Sequence, residues 1–208
     1  MVAVRSYWRF VVVTWNFLPL LLTWLRDRRR YVLFGPSRSI TSEQRRDRAR
    51  QLLDSLLTLG PTFIKFGQLL STRPDVLPPE YIDVLTQLQD KVPPAPWPEA
   101  KEVLEDELGP VEERFDDFDT DAISGASLGQ VYRATVDGRE VAVKVRRPGV
   151  EDLVEADLQA IRWSLPIILY FVDEARSFSL ENLADEFAKT IREEMDYDRE
   201  RRMLQEIR

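Results

Sequence analysis

Neither cysteine nor histidine occurs anywhere in the 208 residues. Their absence removes thiol nucleophiles, disulfides, the usual zinc sites and Ser-His-Asp chemistry together. Asparagine is nearly as scarce: Asn16 and Asn182 are the only two, and no Asp-Phe-Gly triplet is present. Phosphoryl transfer needs a metal held by an aspartate, usually with an asparagine, plus a catalytic-loop acid. This stretch of sequence does not complete such a site alone. Lysine is rare too, with five against 24 arginines. A net charge of −7 argues against a general nucleic-acid binder, so no nucleic-acid partner is expected. No internal repeat or low-complexity tract appears.

What is present suffices for a core, since 44% of residues are hydrophobic. Val131 to Val136 and Glu140 to Val145 read as two strands joined at Asp137-Gly138, a pair that tolerates the positive φ angles of a type I′ turn. Side chains on a strand alternate faces, so Ala142 and Lys144 share one face while Val141, Val143 and Val145 take the other. A small residue beside a lysine suits an adenine ring against the strand with an ammonium reaching the phosphates. An ordinary amphipathic hairpin with an exposed lysine remains the alternative at this point. Lysine's point charge and arginine's fork are not interchangeable at a phosphate site, which makes a lysine in this arginine-rich chain notable. Only Lys65 and Lys144 lie within apolar runs.

Lys65 opens Lys65-Phe66-Gly67-Gln68, in a region with helix punctuation. Thr41 with Gln44 forms a candidate capping box, and Ala49, Leu52, Leu53, Leu56 and Leu57 make one apolar stripe. Gly60 and Pro61 end that helix and start the next. Lys65 and Gln68 then share a face, with Gly67 between them leaving room for close approach of another backbone.

The run Thr62 to Asp75, followed by Leu77-Pro78-Pro79-Glu80-Tyr81 and Leu88-Gln89-Asp90, resembles the K-x-G-Q region of the ABC1/UbiB atypical kinase family, whose animal members are the ADCK proteins. The likeness continues in order through Ala126 to Ala134, similar to the family's alanine-rich loop, then Val141-Ala142-Val143-Lys144, and ends in Glu194-Met195-Asp196-Tyr197, similar to its E-x-D-Y segment. The resemblance implies an α+β fold: a helical K-x-G-Q extension plus the antiparallel-sheet N-lobe of a kinase-like fold, with the C-lobe absent. It implies ATP as ligand, bound by Lys144, Ala142 and the loop Ser124, Gly125, Ala126 and Ser127, with Glu200 as the ion-pair partner of Lys144. Lys65, Gly67 and Gln68 would lie over the cleft, with Lys65 held by Glu194 and Asp196. No catalytic residue would lie within this chain, and Mg2+ is expected only with the missing C-lobe. Gly125 departs from the family's alanine run and restores backbone freedom to the loop, so a nucleotide preference taken from the alanine-rich form does not transfer. By the same resemblance the partners are a membrane surface or prenyl lipid, with quinone-biosynthesis proteins as further candidates. The expectation is a fragment, a truncated reading frame or one part of a split protein.

Residues 1–40 form an apolar and basic segment, 41–110 the helical extension, and 111–208 the incomplete lobe with inserted helices. Phe10 to Leu25 is nearly all apolar, with Arg5 and Arg9 before it and Arg26, Arg28, Arg29 and Arg30 after. Its sixteen residues span about 24 Å as a helix against a hydrocarbon core of about 30 Å. Asn16 and Pro19 weaken a span further, while Trp8, Trp15 and Trp24 suit an interface. The expectation is a peripheral or shallow anchor on the cytoplasmic face of a membrane, with a helix docked on the protein's own core or a true span as alternatives. Pro93, Pro94, Pro96 and Pro98 predict a rigid linker before a helix near Glu99 to Leu108. Trp163 to Val172 is expected to pack within the inserted helices, a second lipid-facing surface being the alternative. A non-catalytic lipid-binding or regulatory module is the competing function. A small-molecule kinase of the aminoglycoside-phosphotransferase kind is disfavoured by the K-x-G-Q segment.

Overall fold

A computed structural model describes residues 2–33, 40–89, 95–171 and 180–197. In chain order the elements are α1 (Val2–Leu33), α2 (Ser42–Leu59), α3 (Pro61–Leu70), α4 (Pro79–Leu85), a 3-10 turn (Thr86–Gln89), α5 (Trp97–Leu108), α6 (Val111–Arg114), β1 (Asp117–Phe118), β2 (Ser124–Gly125), β3 (Gly129–Val136), β4 (Arg139–Arg146), α7 (Val150–Phe171) and α8 (Leu180–Met195). The fold is α+β. It divides into a helical unit, residues 1–89 with 154–192, and a sheet unit, residues 90–153 with 193–208. Most of the residues read from sequence as inserted helices therefore cluster with the K-x-G-Q helices.

In the helical unit α2 starts with the expected capping box. Thr41 Oγ1 accepts from the Gln44 backbone N–H at 3.3 Å, and Gln44 Oε1 accepts from the Thr41 N–H at 3.2 Å, so two amides that the first turn would leave unpaired are satisfied. Gly60 breaks the helix at φ +93°, a backbone that side chains other than glycine's rarely adopt, and Pro61 opens α3. Ala49, Leu53 and Leu56 are buried as the stripe requires, and Phe63, Leu85 and Leu88 complete their surroundings.

Helix α1 docks one face in this unit. Arg9 pairs with the fully buried Asp157 of α7, its Nη2 donating to Oδ2 at 3.2 Å and to the Leu59 carbonyl. Phe10 meets Trp163 edge-on at 5.9 Å, Phe17 meets Phe63 at 5.9 Å, and Val13 is buried between them in sequence. Positions 9, 10, 13 and 17 are the spacing of a single helical face. On the other side Tyr7, Trp8, Val11, Trp15 and Leu22 are exposed. One expectation changes here. Arg9 does not act as a flanking charge for lipid head groups, because its guanidinium is committed to Asp157. Helix α1 runs through Pro19, and Asn16 Nδ2 donates back to the Val12 carbonyl at 2.9 Å. Among the described residues no helix is long and apolar enough to cross a membrane. The side chains of Trp24, Arg26, Arg28, Arg29 and Arg30 lie outside the described ones, as do Pro93 and Pro94 of the linker.

The distal half of α7 also departs from expectation. None of residues 163–170 is fully buried, and Trp163, Ile167 and Tyr170 are exposed, Tyr170 by 75%. The stretch was expected to pack inside, yet in the helical unit its outer positions meet solvent.

In the sheet unit β3 and β4 pair along their whole length with Val131 opposite Lys144 and Thr135 opposite Glu140. Asp137 and Gly138 turn between them at φ 50° and 70°, the type I′ geometry. A strand has two edges and β4 takes one, so β1 and β2 share the other. They act as one interrupted strand, Asp117 opposite Thr135 and Ser124 opposite Val131, with Ile123 N donating to the Val131 carbonyl at 2.8 Å. Residues directly opposite share a face. One face therefore carries Phe118, Tyr132, Ala134, Val143 and Val145. It is closed by α5 and α6 through a cluster of Ala100, Leu104, Val111 and Trp97. Trp97 stacks on Phe118 at 5.0 Å and meets Tyr132 edge-on at 5.2 Å.

Candidate nucleotide-facing site on the sheet

The other face of the sheet lies away from α5 and α6, and the register decides what stands on it. Ser124, Val131 and Lys144 form a row across three strands, with Ala142 opposite Arg133 one step along. Ser124, Ala142 and Lys144 are exposed, whereas the valines of β4 turn toward the closed face, so the alternation expected for this strand is present. Arg133 lies 3.7 Å from Glu140 on the same open face.

Behind the row, the closed face is pinned by a polar cluster. Gln130 is fully buried; its Oε1 accepts from the Ala95 N–H at 2.7 Å and its Nε2 donates to Tyr132 Oη at 2.5 Å. Burial pushes the Tyr132 phenol above its ordinary range, partly offset by the Gln130 bond.

The loop Ser124 to Ser127 is tighter than its sequence suggests. Gly125 pairs with Gln130 in the ladder and is not among the glycines with positive φ, so its freedom is not used for a left-handed turn. Ala126 N donates to the Gly129 carbonyl at 2.8 Å and closes a hairpin, with Ala126 exposed and Ser127 buried. Arg147 locks this hairpin to β4: its Nε donates to the Ala126 carbonyl at 3.2 Å and its backbone N–H to the Leu128 carbonyl at 3.0 Å. Burial lowers the Arg147 pKa from its usual value.

Lys144 Nζ sits 4.6 Å from the centroid of the Tyr197 ring, and Arg146 Cζ lies 5.7 Å from it. Neither Tyr197 nor Arg147 was given a role by the sequence. Tyr197 was visible only as the last letter of E-x-D-Y, and Arg147 only as a basic residue following the lysine strand. Glu200, the expected partner of Lys144, lies outside the described residues.

In the helical unit the K-x-G-Q residues sit on α3. Lys65 is half-buried, and Gln68 Nε2 donates to the Leu88 carbonyl at 2.9 Å. Gly67 does admit close approach, but of side chains rather than another backbone: a Cβ there would meet Leu88 Cδ1 at 2.4 Å and Leu56 Cδ1 at 2.7 Å. Glu194 is exposed in the last turn of α8, and Asp196 follows the helix with its N–H donating to the Glu193 carbonyl at 3.3 Å. Lys65 and the Glu194/Asp196 pair fall in different units.

The family model of the ABC1 atypical kinase-like domain matches residues 87–208, more than half of the chain. The chain belongs to this family. Among curated relatives, an Arabidopsis thaliana protein named Activity of BC1 Complex Kinase 8, chloroplastic, is 41% identical over 89% of this chain and 25% of its own length. An Aeromonas salmonicida protein named probable protein kinase UbiB is 43% identical over 68% of this chain and 27% of its own length. The chain spans about a quarter of the length of these relatives. Of solved structures, the erythromycin complex of a Mycobacterium tuberculosis protein is 32% identical, covers 76% of this chain and 41% of its own, and superposes with a TM-score of 0.43. The matched residues of the ABC1 family include the whole sheet and the open row.

Proposed function

We propose that this chain provides the nucleotide-binding lobe of an ABC1/UbiB atypical kinase or ATPase that serves prenyl-lipid, isoprenoid-quinone metabolism at a membrane. One observation carries the reading: Ser124, Val131 and Lys144 stand in register on the sheet face opposite the one that α5 and α6 close. ATP fits the chemistry of that face. Lys144 would hold phosphate oxygens by charge-assisted hydrogen bonds, Ala142 leaves room for a base against the strand, and the Ser124 to Ser127 hairpin would flank the ligand. The metal-holding aspartate and asparagine and the catalytic acid are expected from the part of the relatives that this chain does not span, and Mg2+ would enter with them.

The test is calorimetric titration of the 208-residue chain with ATP. Weak saturable binding is expected, reduced about ten-fold or more by Lys144→Ala, with no turnover. Binding unaffected by Lys144→Ala would overturn the reading. Multiple-turnover hydrolysis abolished by Lys144→Ala would overturn the assignment of the metal-holding residues to another lobe.

The membrane part of the proposal rests on α1, whose outward side exposes Trp8 by 68% and Trp15 by 73%. Tryptophan beside basic residues suits the interface of anionic bilayers, and the arginines at 26, 28, 29 and 30 follow in sequence. That arrangement supports peripheral association, with the cytoplasmic face as the side proposed. The exposed Trp163, Ile167 and Tyr170 favour the competing reading, a lipid-binding or regulatory module without turnover. Flotation with vesicles containing anionic phospholipid separates the cases: the chain should float, and a Trp8→Ser, Trp15→Ser variant should stay in the unbound fraction. Equal recovery of both in the unbound fraction would leave α1 as a docked core helix only.

A further inference from the structure

We propose that Tyr197 is the positioning residue of Lys144: its ring is the seat that holds the ammonium over the open face of the sheet, aimed where phosphate would lie. The inference rests on the nucleotide reading above and names a residue that this reading leaves without a role.

Three observations converge on the ring. Lys144 and Arg146 are two apart on β4 and so project to one face, and Tyr197 lies against both cations, at 4.6 and 5.7 Å from its centroid. Gly129 is the ladder partner of Arg146 on that same face. A Cβ at Gly129 would come within 2.6 Å of Tyr197 Oη and 2.9 Å of the Val145 carbonyl oxygen. The missing side chain at Gly129 therefore opens the place that the tyrosine hydroxyl occupies. A lysine on an exposed strand position samples many rotamers. The negative face of an aromatic ring beside Nζ narrows that set and favours the charged end.

The consequence differs from simple packing, because a seat depends on the ring's quadrupole and a packing contact depends on bulk. Tyr197→Phe keeps the π face, and Tyr197→Leu keeps apolar volume without it. With only five lysines in the chain, the acylation rate of each can be followed by peptide mass spectrometry after a pulse of an acetyl N-hydroxysuccinimide ester, in the full chain and without nucleotide. Tyr197→Phe should leave the Lys144 rate close to that of the parent. Tyr197→Leu should raise it about two- to five-fold, the range of an exposed cation–π contact, with Lys65, Lys101 and Lys189 unchanged. Should the leucine variant lose its cooperative melt, Tyr197→Met gives the same comparison with a more adaptable side chain. Equal Lys144 rates in the phenylalanine and the folded leucine or methionine variants would overturn the seat.

The same variants titrated with ATP keep the two ideas apart. A loss of affinity of about two- to five-fold in the leucine variant, absent in the phenylalanine variant, supports both. A changed acylation rate with unchanged ATP affinity supports the seat and counts against phosphate as its purpose.

Discussion

The two lysine-bearing motifs of this chain meet opposite surroundings. On α3 the glycine and glutamine of K-x-G-Q are occupied with holding helices together: Gly67 accepts the ends of Leu56 and Leu88, and Gln68 ties the Leu88 carbonyl at 2.9 Å. On β4 the neighbours Val143 and Val145 pack toward α5 and α6, and register places Ser124, Ala142 and Lys144 on the opposite face, where the Tyr197 ring meets Lys144. Apolar context around a lysine thus marks two different things. In a helix it marks a packed stripe; in a strand it marks the packed back of a face whose front carries the polar side chains. Stability should reside in the helical unit's polar anchors, and chemistry on the sheet.

The sharpest way to break that division is to remove a helical anchor. Asp157→Ala would leave Arg9 without its carboxylate in a site where Asp157 is fully buried, and breaking a buried pair from one side costs about 3–5 kcal/mol. Against a typical total of about 5–15 kcal/mol, urea melts should show a large fall in midpoint. Lys144→Ala in the same assay should stay within about 0.5 kcal/mol while reducing ATP affinity. Comparable losses from both would erase the contrast.

Inside the sheet unit the next largest effect is expected from Tyr132→Phe. Removing the hydroxyl takes from Gln130 Nε2 its 2.5 Å partner and leaves only a 3.4 Å contact with the Ala95 carbonyl, which should cost about 1–2 kcal/mol in a fully buried amide. No loss in the melt would mean that the cluster is dispensable. Gly67→Ala sets two terms against each other. Alanine gains about 1 kcal/mol of helix propensity, while overpacking against two fully buried leucines costs about 1–3 kcal/mol; a net loss of about 1 kcal/mol is expected. A stabilised variant would show that Leu56 and Leu88 can move aside.

The smallest effect is electrostatic. The Arg192 guanidinium holds the Glu155 carboxyl below its usual range, and Arg73 does the same for Asp75. Groups with lowered folded pKa values stabilise fully above the ordinary carboxylate range of about 4 and lose that contribution as pH falls through the folded values. Thermal melts should therefore be flat from neutral pH to about 5 and decline below it. Replacing Arg73 and Arg192 by glutamine should flatten that decline. An unchanged slope would assign it to other carboxylates.

How much of this was legible in the sequence follows from how local each cause is. The capping box at Thr41 and Gln44, the Gly60-Pro61 break and the Asp137-Gly138 turn are set by neighbours within four residues, and each forms as read. The alternation along β4 is equally local, so the open face was legible without knowing what closes the other. The Arg9 to Asp157 pair was not, because periodicity tells which face of a helix is apolar but not which distant carboxylate an arginine will find. The same limit applies to Gly67, whose neighbours come from other elements, and to Tyr197, whose ring meets β4 from more than fifty positions along the chain. Gly125 misled for a related reason: a glycine permits an unusual backbone without requiring one.

The Arg9 to Asp157 pair spans 148 positions, and that separation sets a schedule for folding. At a synthesis rate of about 5–20 residues per second, α1 waits on the order of 7–30 s for the segment that neutralises its arginine. Through that interval the inward side of α1 has only α2 and α3 to meet, as Phe17 meets Phe63, and the outward side stays uncovered. Contacts so far apart in sequence slow folding by the closure they require. Among the described helices α1 is thus one of the last to be fully secured, and a nascent chain of this kind has reason to be held by a chaperone or a bilayer until α7 emerges.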